Sequence, residues 1–201
     1  MKVGSVVKNL SYSVLANGTN TLVSMILVLF VPKILGVKEY SYWQLYLFYA
    51  SYVGFFHFGW ADGVYLKFGG KKYSELDKGY FHSQFWLLTI FEIILALIFG
   101  AATYLFCDDA NKEAVLLAVA FCCVLQIPRT FLQYLLQTTN RIVDYARNYL
   151  LEKIVYAVLV IGFLAAGIRN FQILIGADLF ARGLTLVLLS RECKDIVKGK
   201  V

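Results

Sequence analysis

The chain has 201 residues, 60% of them hydrophobic and 16% charged, with a formal net charge of +6 and a mean hydropathy of +0.67. Soluble domains carry about 25% charged residues, so this composition excludes an ordinary soluble globule, and its hydrophobicity excludes a disordered chain. The four cysteines, Cys107, Cys122, Cys123 and Cys193, form no CxxC pair, and neither GxxxxGKS/T nor GxGxxG occurs. The sequence therefore indicates no zinc site, disulfide framework, nucleotide loop or cofactor.

A helix that crosses a bilayer needs about 20 largely apolar residues. The expected fold is all-α, a polytopic membrane protein forming one transmembrane domain over residues 1–201. Six spans are expected, at about 9–32, 41–61, 80–106, 114–137, 149–167 and 170–190. The first has 24 uncharged residues between Lys8 and Lys33. It is too long, and too polar at Asn17 and Asn20, for a cleaved signal peptide, so it reads as an uncleaved span. Asn9, Ser13, Asn17, Asn20 and Ser24 recur at helical spacing and share one face. This stripe is either interhelical hydrogen bonding or the wall of a hydrated path.

The second span has 22 uncharged residues between Glu39 and Asp62. Tyr42, Tyr46, Tyr49, Phe56 and Trp60 give it an aromatic face, read as packing and interface residues. Gly59 and Gly63 mark a tight exit. Beyond it, Val64, Leu66 and Phe68 with flanking lysines suit an interfacial segment. The third span carries one charge, Glu92, a candidate proton or cation coupler or else a hydrogen-bonded acid without that role. In the fourth, Gln126, Arg129, Thr130, Gln133, Gln137 and Asn140 lie on one face. Such groups do not face lipid without a penalty. Pro128 beside Arg129 removes a helix hydrogen bond and predicts a kink. The fifth span is flanked near its start by Glu152 and Lys153. In the sixth, Asp178 and Arg182 are four apart, an intrahelical ion pair or an anion site.

Thirteen Lys and Arg flank the spans on the side of the two termini and four on the other, with Arg129 and Arg182 inside spans. By the positive-inside rule both termini are expected in the cytoplasm. The only paired acids outside the spans, Asp108 and Asp109, have no nearby histidine, which argues against an enzyme. The basic balance belongs to topology and lipid contact, not to nucleic acid.

The opening Lys8-Asn9-Leu10-Ser11-Tyr12 leads into the polar first helix and then Val31-Pro32-Lys33-Ile34-Leu35-Gly36-Val37-Lys38-Glu39-Tyr40. With the aromatic second helix, the exit Phe58-Gly59-Trp60-Ala61-Asp62-Gly63, and the stretch Leu136-Gln137-Thr138-Thr139-Asn140-Arg141, this resembles the polysaccharide-biosynthesis oligosaccharide flippases (the Wzx/RfbX group). These belong to the multidrug/oligosaccharidyl-lipid/polysaccharide exporter superfamily, together with the MATE exporters. The motifs cover about the first 70 residues and the later stretch. The resemblance implies a multi-pass protein of the cell inner (plasma) membrane that moves a polyprenyl-diphosphate-linked oligosaccharide between leaflets. Such proteins have two six-helix lobes around a central cavity, and this chain matches the N-terminal one. The expected partners are membrane lipid, the lipid-linked oligosaccharide and a second six-helix half: a missing C-terminal lobe, a separate chain or a second copy.

On that resemblance Arg129 and Arg182 hold the diphosphate. Asn17, Asn20, Gln126, Gln133 and Gln137 solvate sugars, and Glu92 or Asp178 couples transport to an ion gradient. The alternatives are a MATE-type small-molecule exporter lobe, whose cationic substrates favour a more acidic cavity, and a non-transporting membrane assembly subunit.

Overall fold

The computed structural model of the chain describes residues 3–199, without the side chains at 3–10, 12, 13, 15, 16, 20 and 26. Among the described residues every regular element is helical. Helix α1 spans Val3–Ile34, α2 Val37–Tyr52 and α3 Trp60–Phe68, with a 3-10 turn at Val53–His57 between the last two. After a short 3-10 turn at Tyr73–Glu75 come α4 (Lys78–Phe106), α5 (Ala110–Thr138), α6 (Ile142–Ala165), α7 (Phe171–Glu192) and the small α8 (Lys194–Lys198). Five stretches are long and apolar enough to cross a membrane: 17–34 in α1, and the whole of α4, α5, α6 and α7.

Local sequence sets the helix ends. Asp77, Asp109 and Asn170 cap the N-termini of α4, α5 and α7, each side chain accepting from an amide of the first turn. Gly167, at φ 79°, closes α6 with the Ile168 amide donating to the Phe163 carbonyl, a left-handed cap. Helix α5 continues through Pro128 to Thr138.

The second expected span, 41–61, is not one helix. Helix α2 has 16 residues, about 24 Å. After the 3-10 turn, the chain takes positive φ at Phe58 (47°) and Gly59 (78°) before α3 begins. Helical hydrogen bonding cannot pass through two such residues. The glycine exit therefore lies inside the expected span, not at its end.

Around an apolar core, large apolar side chains also cover the outer surface, and several charges lie inside. Leu97 (68%), Leu105 (70%) and Phe106 (84%) are exposed, whereas Glu92 (0%), Arg129 (4%) and Glu152 (2%) are buried. An apolar solvent explains both facts, because it accepts leucine and rejects charge. With the apolar helices, this is the construction of a multi-pass membrane protein.

Helix α5 is the centre, with 56% of its apolar window buried against 12% for that of α1. Helices α2, α3, α4, α6 and α7 all pack on α5, and α1 packs along α6. The broken line from α2 to α3 runs beside α5 in the same direction. Tyr42 donates to Asp109 at the start of α5 (2.9 Å), and the Gly70 amide donates to the Thr138 carbonyl at its end (3.2 Å). Helix α8 folds back on the first turns of α4.

Candidate functional site

The spacing of polar residues on α5 and α7 puts them on facing stripes. Gln126 and Arg129 are one turn apart on α5; Asp178, Arg182 and Thr185 follow one another by turns on α7. Because α7 packs on both α5 and α2, these stripes meet a buried tyrosine of α2. The result is one continuous chain of polar contacts.

It begins at Tyr46, fully buried, whose hydroxyl donates to Asp178 Oδ2 at 2.6 Å. Arg182 Nε donates to the same oxygen at 2.6 Å. The Arg182 guanidinium also donates to Gln126 Oε1. That oxygen accepts a further bond from Arg129 Nη2 at 2.6 Å. Arg129 Nη1 then pairs with Glu152 Oε2 on α6. Lys153 Nζ lies 3.5 Å from the other carboxylate oxygen of Glu152, and the Thr185 hydroxyl lies 3.3 Å from Oε2. Three cations and two carboxylates from α5, α6 and α7 are thus joined through one amide oxygen.

Asp178 and Arg182 form an intrahelical ion pair, the first of the two arrangements that their spacing allows. Gln126 does not point to an open cavity but bridges the two arginines. Gln133, one turn beyond Arg129, is buried, and its Nε2 has no hydrogen-bond partner, as is true of Arg129 Nε. These donors are directed into the protein with nothing accepting from them. Gln137 is half-buried at the end of the same face. Asn17 lies on the exposed surface of α1, apart from the network, as does Ser24. The side chain of Asn20 lies outside the described residues. Glu92 is fully buried on α4, and neither of its oxygens has a hydrogen-bond partner. It does not join the network.

Four members of the network were not legible as such. Tyr46 was read as aromatic packing, and Thr185 carried no signal. Glu152 and Lys153 were read as the charged flank of a span beginning near Tyr149. Helix α6 begins at Ile142 instead, which places Glu152 about 15 Å along it. The apolar Ile142, Val143, Tyr145 and Ala146 ahead of the pair were the available signal.

Two grooves lie away from the network. One of about 510 Å³ lies between the end of α4 and the start of α5, beside Thr103, Asp108 and Lys112. The other, of about 650 Å³, lies between α6 and α7. Among the described residues no three His, Cys, Asp or Glu side chains converge as a metal-ligand set would.

Outside the spans, Asp109 is held below the usual carboxylate range by the Lys112 amide, the Tyr42 hydroxyl and the Asn111 amide. Burial alone would raise Asp195, but the Tyr73 hydroxyl and the Lys78 ammonium outweigh it and keep that carboxyl low. Burial pushes the Cys193 thiol up to about 11. Chemically, the buried network pairs each of its guanidinium groups with a carboxylate of the chain itself. Comparison with protein-family models, with curated proteins and with solved structures finds no match to this chain.

Proposed function

We propose that this chain is one lobe of a membrane transporter that moves a polyprenyl-diphosphate-linked oligosaccharide between leaflets. The observation that carries the reading is the charge balance of the buried network. Arg129, Arg182 and Lys153 face only Glu152 and Asp178, so the network, which Glu92 on α4 does not join, holds one surplus positive charge. Holding that surplus away from water is costly, and an anionic ligand offsets it. A diphosphate meets planar guanidinium groups with paired, charge-assisted hydrogen bonds. Gln133 Nε2 and Arg129 Nε are unclaimed donors beside them.

In this reading α1, the broken α2 line, α4, α5, α6 and α7 make six crossings of the inner membrane. The lysine-rich ends face the cytoplasm. Asn17 and the exposed face of α1 turn toward a second lobe, supplied by another polypeptide or another copy. The diphosphate displaces Asp178 from Arg182 and Glu152 from Arg129, sugars are solvated by Gln126, Gln133 and Gln137, and the prenyl tail stays in lipid. The two lobes rock about this site.

Titration of the purified chain with a short-chain polyprenyl diphosphate tests the reading. Arg182→Gln should weaken binding by about tenfold, the size of one charge-assisted bond. Asp178→Asn should tighten it, because a competing carboxylate is gone. Stronger binding of organic cations than of the diphosphate, or weaker binding in Asp178→Asn, would overturn the assignment in favour of a cation exporter.

A further inference from the structure

The groove between α6 and α7 has the form of a lipid site. Its wall includes Leu151, Ile154 and Leu188, and one end is formed by Arg147, Asn148 and Glu192. Arg147 sits five residues into α6 and Ile154 a further seven. At 1.5 Å per residue, the groove extends about 10 Å from the polar end toward mid-membrane. A 24-residue helix extends slightly past a hydrocarbon core of about 30 Å. The polar end therefore lies near the boundary between headgroups and acyl chains, and the apolar wall lies in hydrocarbon.

The polar end is built, not incidental. Asn148 is 2% exposed, and its Nδ2 donates to Glu192 Oε2 at 3.0 Å and to the Asp144 carbonyl at 2.9 Å. This buried amide fixes the Glu192 carboxylate. Arg147 Nη2 pairs with Glu192 Oε1 and lies 3.8 Å from Asp144 Oδ1. Both carboxylate contacts use that one nitrogen, so the other donors of the guanidinium fork are open to an incoming oxyanion. The Arg147 side chain is 63% exposed. Arg141 in turn pairs with Asp144 (2.7 Å). One cation, Arg147, and one carboxylate, Glu192, line this end, so it carries no surplus for a purely anionic headgroup.

A balanced guanidinium and carboxylate pair matches a balanced headgroup. We propose that the groove binds one aminophospholipid of the phosphatidylethanolamine class. Its phosphate sits on Arg147, its primary ammonium donates to Glu192, and an acyl chain lies along Leu151 and Ile154. Phosphatidylcholine has no N–H to donate. Phosphatidylglycerol offers the carboxylates only repulsion or a neutral hydroxyl. The site is independent of the transport reading, since it uses no residue of the buried network.

Native mass spectrometry of the purified, delipidated full chain tests the site, with equimolar phosphatidylethanolamine, phosphatidylcholine and phosphatidylglycerol added. One ethanolamine lipid should be retained with about tenfold preference, the value of one hydrogen bond to a charged group. Glu192→Gln keeps an acceptor for Asn148 and should erase the preference. Leu151→Trp fills the groove and should abolish retention of the bound lipid while leaving the charged pair in place. Equal retention of the three lipids would mean only annular lipid, and preference for phosphatidylglycerol a simple cationic patch. Preference unchanged in both variants would place the lipid elsewhere. Each of these three results overturns the proposal.

Discussion

Buried charges at the residue scale do opposite things here. Arg129 and Glu152 are 4% and 2% exposed and paired, so removing Glu152 leaves the Arg129 guanidinium without its carboxylate. Glu152→Ala should cost about 3–5 kcal/mol, read as a lower unfolding midpoint in mild detergent. The double variant Arg129→Met/Glu152→Met should cost less than Glu152→Ala alone, because only the partly exposed Lys153 then loses its carboxylate. Glu92 has the opposite character. Its buried oxygens have no hydrogen-bond partner, so Glu92→Leu should raise the same midpoint, by about 1–3 kcal/mol of recovered desolvation. The sequence marked Arg129, Asp178, Arg182 and Glu92 by their position within apolar runs. It could not show that Gln126 joins both arginines, because that needs the distance between α5 and α7.

Among the elements, the broken second segment is the part that periodicity misjudged. The run from Tyr40 to Ala61 carries no Asp, Glu, Lys or Arg to mark a break. Gly59 was visible as a turn residue, but Phe58 at φ 47° is a conformation that a bulky residue adopts only when its surroundings impose it. Gly59→Ala should cost about 1–2 kcal/mol, since Cβ is disfavoured at positive φ. Gly63→Ala, with open space around it inside α3, should be stabilising by about 0.5–1 kcal/mol. Comparing the two unfolding midpoints isolates the break from helix propensity.

Helix α8 is the other element that only tertiary contact explains. Tyr73 donates to Asp195 at 2.6 Å, and Lys78 lies 3.0 Å from it. Trp86 Nε1 donates to the Val197 carbonyl at 3.0 Å. These partners keep the folded Asp195 below its usual range. A lowered carboxyl stabilises docking fully above its ordinary value, about 3.9. That contribution disappears as pH falls through the lowered folded value. Hydrogen exchange at the α8 amides should therefore be faster in Asp195→Asn than in the parent at neutral pH, with the difference closing in strong acid.

At the scale of the whole molecule, exposed apolar helix faces beside buried charges point to an apolar solvent, and the sidedness of the charges predicts an orientation. Cys107 is half-buried beside Asp108, while Cys122, Cys123 and Cys193 are buried. In intact cells a membrane-impermeant maleimide should label Cys107, and Cys107→Ser should remove the signal. Labelling only after permeabilisation would reverse the orientation. The sequence by itself determined that the chain is helical, that it lives in a bilayer, and which side chains have no comfortable place in lipid. Those properties follow from composition and from period along one chain. The tertiary structure alone decided which of those side chains satisfy one another. A guanidinium in hydrocarbon must find a carboxylate, but several are within reach along the chain, and the packing of α2, α5, α6 and α7 selects among them.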